Sequence, residues 1–264
     1  MISQLNLQGL RAACVASALL VSPLVNATED TGPVTQNQRV VDSLIMLGGQ
    51  FSAAITPDMG FPPEYIEHWQ SAVEVAFAPD LIAADVDAAL ETALTAEARA
   101  AALAYDQSPL GRDVLEVMAQ AEPLKADPDH LAATRDYLDK ASPEDRALLA
   151  DLFTAQGADE QTDIVMTIYF EALRIAAEPV IGAEVAAQWI ESAAPLREVY
   201  AQDHLLSHAA IFRLLPKAQL QELVIVAQAP DMTAFAAQTN AAFREALQSA
   251  ADRLEAAYVR ELDR

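Results

Sequence analysis

His204 and His208 stand four residues apart, the spacing at which two imidazoles on one helix face can hold a single metal ion. A zinc hydrolase of that type carries glutamate directly after the first histidine, as general base. Leu205 occupies that place, so only Asp203 or a distant acid is left to complete a site. The pair therefore reads as two partly buried or surface histidines, and no metal or other cofactor is expected. Ser108 has the hydroxyl of a nucleophile, but no histidine lies near it in sequence and no G-x-S-x-G elbow surrounds it. Its place before Pro109 suits a helix cap instead. Carboxylates are abundant, 39 Asp+Glu in 264 residues, so acid/base chemistry by a carboxylate pair is the enzymatic alternative. Glu97, Asp106, Asp113 and Glu116 read as a solvated face. Arg112 reads as the ion-pair partner of Glu116, or as a ligand for an anion. No calcium loop is present, and eight glycines supply no phosphate cradle.

The residues with the most individual pattern are Tyr105-Asp106-Gln107-Ser108-Pro109-Leu110-Gly111-Arg112. Spacing predicts one helix over 95–106 and another over 109–122. Ser108 caps the second, Pro109 fills a position that needs no amide bond, and Gly111 permits close approach of another group. Leu110, Val114, Val117, Met118 and Ala121 then face a core. A helix ending in an aromatic residue, then Ser-Pro-x-Gly and a second amphipathic helix, resembles the bacterial family called domain of unknown function 2059. That resemblance covers about 94–122, with a weaker echo at 215–247, where Ala229-Pro230-Asp231-Met232 lacks the capping hydroxyl and the glycine. It implies a secreted or periplasmic, largely helical protein, and it supplies no catalytic residues.

Positioning these groups is the work of helices. Alternating β-branched runs and hairpin turns are lacking, whereas apolar positions recur at steps of three and four throughout. Starts at Ser142-Pro143-Glu144-Asp145, Asp127-Pro128-Asp129 and Ser108-Pro109 punctuate them, with a weaker one at Thr95. Residues 164–176 have almost no polar face and should lie centrally, as should 40–55. In the last helix, about 233–262, Phe243, Leu247, Ala250, Leu254 and Tyr258 form one stripe. The expected fold class is all-α, with ten to twelve helices. A faint repeat near 120 residues pairs Trp69 with Trp189, Pro57 and Gly60 with Pro179 and Gly182, and Pro109 with Pro230. It divides the chain into tandem related helical units at 36–125 and 158–262, joined by a helical connector at 126–157. Trp69 and Trp189 are expected to pack in the core.

Residues 1–27 read as a secretory signal. Arg11 precedes an apolar run, Ala12 to Val25, and Val25-Asn26-Ala27 puts small residues at the cleavage positions. Cys14 sits near the start of that run rather than after it, which does not fit a lipoprotein signal. Cleavage after Ala27 would leave no cysteine, hence no disulfide and no thiol nucleophile. A formal charge of −23 opposes binding to nucleic acid or to anionic lipid. With 53% apolar residues the chain can fill a substantial core, so disorder is not expected. The functional expectation is a non-enzymatic binding or protein-interaction module in the periplasm or outside the cell. Its apolar helices would offer a groove to an envelope protein, an apolar peptide or a small apolar ligand. The alternatives are an envelope-polymer hydrolase using Glu and Asp, and a structural dimer pairing through its last helix.

Overall fold

A computed structural model describes residues 36–121, 124 and 127–263, and the expected signal at 1–27 lies outside these. Among the described residues there are twelve α-helices and no strand, so the chain is all-α. They are α1 (Gln36–Ser52), α2 (Pro63–Ala76), α3 (Pro79–Ala93), α4 (Ala96–Asp106), α5 (Pro109–Ala121) and α6 (Pro128–Lys140). Then come α7 (Pro143–Ala155), α8 (Ala158–Ile181), α9 (Ala183–Ser192), α10 (Leu196–Phe212), α11 (Lys217–Ala227) and α12 (Pro230–Leu262), with one 3₁₀ turn at Pro57–Met59.

The starts follow from local chemistry. Ser142 accepts a bond from the Asp145 amide at 3.1 Å, and Asp127 accepts one from the Asp129 amide at 2.9 Å. Thr95 accepts from the Ala98 amide at 3.2 Å. Proline occupies the first position of α2, α3, α5, α6, α7 and α12, where an amide would have no partner. Gly157 joins α7 to α8 at φ 71°, a left-handed turn that a side chain resists.

Packing centres on α12. This 33-residue helix lies against α2, α3, α4 and α8. Phe243, Leu247, Ala250, Leu254 and Tyr258 are all 1% exposed or less. Each large side chain so buried contributes about 1.5–3 kcal/mol. That stripe is therefore consumed within the chain. The α8 helix is central as expected, burying Ile164, Val165, Ile168, Tyr169, Phe170 and Leu173. One apolar cluster joins α1, α2, α3, α8 and α12. A second gathers Tyr105, α5, Leu149 and Leu152 of α7, the end of α10, and α11. Trp69 is fully buried, donates its indole N–H to the Phe51 carbonyl at 2.6 Å, and meets the Tyr258 ring edge-on at 5.3 Å. Trp189 is only partly covered, against Phe61. The expected connector, α6 and α7, packs on α10 and α11.

The Arg253 side chain ties α12 to two other helices. Its guanidinium donates twice to the Ala76 carbonyl, both at 3.1 Å, closing the end of α2, and once to Asp85 of α3 at 2.5 Å. A fork of donors is needed to reach both, which an ammonium group lacks. Arg253→Lys should therefore destabilise the protein by about 1–2 kcal/mol in urea unfolding.

Candidate functional site

The elbow between α4 and α5 holds the sequence motif. The Ser108 amide donates to the Tyr105 carbonyl at 2.9 Å, and the Ser108 hydroxyl accepts from the Gly111 amide at 2.9 Å. That hydroxyl is a cap. A Cβ at Gly111 would stand 2.1 Å from the Tyr105 carbonyl oxygen, so the α5 backbone can approach the end of α4 only because residue 111 is glycine. Pro109 begins α5. Below the elbow, Tyr105, Gln156, Val226, Met232 and Phe235 line a cavity of about 20 Å³. One water fills such a space, whereas a drug-sized ligand needs about 300 Å³ or more. Arg112 is exposed and forms no ion pair with Glu116, which accepts instead from Gln120. The elbow is a joint.

Asp106 departs from the expected solvated face. Its carboxyl is half-buried, and its Oδ1 has no hydrogen-bond partner among the described residues. Burial pushes it up to about 7, while the Arg39 guanidinium pulls it down. Burial, with the Asp106 charge adding to it, also raises the Tyr105 hydroxyl. Glu97, Asp113 and Glu116 are exposed, as expected.

His204 and His208 are fully buried, deeper than the sequence suggested, because α10 turns them into the joint between α7 and α8. The Thr162 hydroxyl donates to the Ala158 carbonyl, so His204 donates its Nδ1 proton to the Thr162 oxygen, at 2.7 Å. His208 Nε2 donates to Gln156 Oε1 at 2.8 Å. The Phe153 ring meets both imidazoles edge-on, at 5.0 and 5.3 Å. Two ring nitrogens are thereby committed to different protein partners, and no group of three or more metal-ligating side chains exists among the described residues. Burial pushes the His208 imidazole down to about 3, with His204 adding to the effect.

A different feature has ligand dimensions. Helices α8 and α12 run parallel, held at one end by Arg244 on Glu160 at 2.8 Å and at the other by the Tyr258 hydroxyl on the Ala176 carbonyl at 3.3 Å. Between them lie two adjoining hollows of about 380 and 290 Å³ that share Thr167, Ile168 and Gln248. Ile164, Ile168, Ala172 and the half-buried Ile175 form the floor, with Leu254 and Trp69 beneath. From Glu160 to Ile175 the groove follows α8 for about 22 Å. Sequence reasoning did not place it. Its apolar positions 164, 168, 172 and 175 look like ordinary core spacing, and only the pairing with α12 leaves a furrow above them. Neither family models, curated proteins nor solved structures yield a match to this chain.

Ser108→Ala should cost about 1 kcal/mol of stability. Gly111→Ala should cost about 1–3 kcal/mol by overpacking. Gly49→Ala, in α1 with open space around it, should instead stabilise by about 0.5–1 kcal/mol. All three are read from urea midpoints.

Asp106 and His208 act oppositely on the pH dependence of folding. Folded Asp106 keeps a proton that the unfolded chain loses above about pH 4, so its contribution is full below that value and fades up to about 7. Folded His208 refuses a proton that the unfolded chain takes below about pH 6.5, so its contribution is full above that value and fades on acidification. Between about pH 4 and 6.5 the slopes offset, each being at most about 1.4 kcal/mol per pH unit. Relative to wild type, Asp106→Asn should gain stability with rising pH across this window, and His208→Gln should lose it. Denaturant titrations at several pH values check both.

Proposed function

We propose that the protein is a non-enzymatic binding module that works in the periplasm or outside the cell, where its groove takes an apolar face of an envelope protein or peptide. The observation that carries this reading is the furrow between α8 and α12, long enough for about four turns of helix and floored by aliphatic side chains. Among the described residues no helix is long and apolar enough to cross a membrane, which is compatible with a free domain. The location rests on residues 1–27, with their apolar run and Val25-Asn26-Ala27.

Asp106 favours a second reading, an envelope-polymer hydrolase, because a carboxyl held near 7 suits a general acid. Such chemistry requires a second carboxylate across a cleft. The groups that shift Asp106 are its burial and Arg39, and the cavity beside Tyr105 has room for one water.

The chain is further read as two related units, 36–125 and 158–262, with 126–157 between them, and as similar to the domain of unknown function 2059. Several features support the duplication. Gly60 and Gly182 both have positive φ, 89° and 81°, with ψ at 12° and 152°. Each precedes the helix that carries a tryptophan, Trp69 on α2 and Trp189 on α9. Helices α4 and α11 each have 11 residues, and each gives way after two residues to a helix begun by proline.

A photo-crosslinking residue at Gln248 should give covalent adducts with envelope proteins, and one at Asp136 on α6 should not. Equal labelling from both positions would remove the groove as the binding surface. N-terminal sequencing of the exported chain should begin at Thr28.

A further inference from the structure

We propose that the α8–α12 groove is selective for a cationic amphipathic helix. This deepens the binding-module reading and rests on it. The groove's lining includes Glu160, Asp163, Glu171, Asp252 and Glu255, and one cation, Arg244, while Arg197 reaches its edge by donating to Thr167 at 3.3 Å. Arg244 is already bound to Glu160, and Glu171 is held by Arg174 of its own helix at 2.6 Å, which keeps that carboxyl below its usual range. Asp163, Asp252 and Glu255 carry no ion pair among the described residues. Asp252 accepts only the Gln248 amide, at 2.8 Å. These three carboxylates flank an aliphatic floor on both sides, Asp163 from α8 and the other two from α12.

An occupant must therefore present an apolar stripe to Ile164, Ile168 and Ile175, and positive charge on the edges of that stripe. A neutral or acidic helix would bring those carboxylates out of water with nothing to answer them. A second copy of this chain is disfavoured by the same rule, since each copy has a formal charge of −23. Two parallel helices with a furrow of about 22 Å fit a third helix of about 15 residues, with apolar positions at i, i+4, i+7 and i+11.

The test uses the mature chain and two synthetic helices of about 15 residues, alike in their leucine stripe. One carries lysine on its flanks and the other carries glutamate. Binding is followed by calorimetry and by the fluorescence of buried Trp69. The lysine peptide should bind, and its affinity should fall at least about tenfold between roughly 50 and 500 mM salt. The combined variant Asp163→Asn, Asp252→Asn, Glu255→Gln should weaken it by a similar factor. The glutamate peptide should not bind. A control variant, Glu184→Gln, Glu191→Gln, Glu222→Gln, removes the same charge from exposed positions outside the groove and should leave the affinity within about twofold. Equal loss in the control would mean general attraction to an acidic surface and would overturn the proposal. Equal binding of both peptides, insensitive to salt, would overturn the charge selectivity and leave the binding module standing. Binding of neither peptide would overturn both.

Discussion

Burial of the α12 stripe is the constraint on which the rest depends. Helices α2, α3, α4 and α8 each set a face against it, and the side chains they enclose are almost fully withdrawn from water. Hydrophobic transfer is non-directional, so the stripe alone would tolerate sliding and rotation. Direction comes from a few polar contacts of high sequence separation. Arg253 reaches the Ala76 carbonyl, Tyr258 the Ala176 carbonyl, and Asn240 the Gly157 carbonyl. Each fixes α12 at a different height. The furrow beside α8 lies between two ties of this kind, Arg244 on Glu160 and Tyr258 on the Ala176 carbonyl.

The buried histidines belong to this same logic. At the Gly157 turn, α8 leaves α7, and α10 crosses beneath with His204 and His208. Two polar pairs form there, Thr162 with His204 and Gln156, just past the end of α7, with His208, and the Phe153 ring packs edge-on against both imidazoles. Such pairs cost desolvation but admit few alternative packings. They specify which faces of α8 and α10 meet, where an all-leucine contact would not.

Much of the helical architecture was legible in the residues. The caps at Ser108, Asp127 and Ser142, the apolar run of 164–176 and the stripe of the final helix all depend on neighbours within a turn or two, and sequence records such neighbours directly. Gly111 was legible as a close approach, though what approaches is the carbonyl of Tyr105, only six residues back. Three features were not. The depth of the histidines is set by α7 and α8 packing over α10, and nothing in the spacing of 204 and 208 reports that. Asp106 looked like one acid among many, and the cation that acts on it, Arg39, stands far back in the chain on α1. The groove arises between residues about 84 apart in the chain, a distance over which alanine-rich periodicity carries no pairing information.

The tie between Arg253 and Ala76 spans 177 residues. The ribosome delivers α1, α2 and α3 long before the helix that covers them. Until α12 emerges, those three helices have only one another to cover their apolar faces. Contacts this distant slow folding, because loop closure must come before the reward for it. The nascent protein thus passes through an extended interval in which its own future core is a sticky surface.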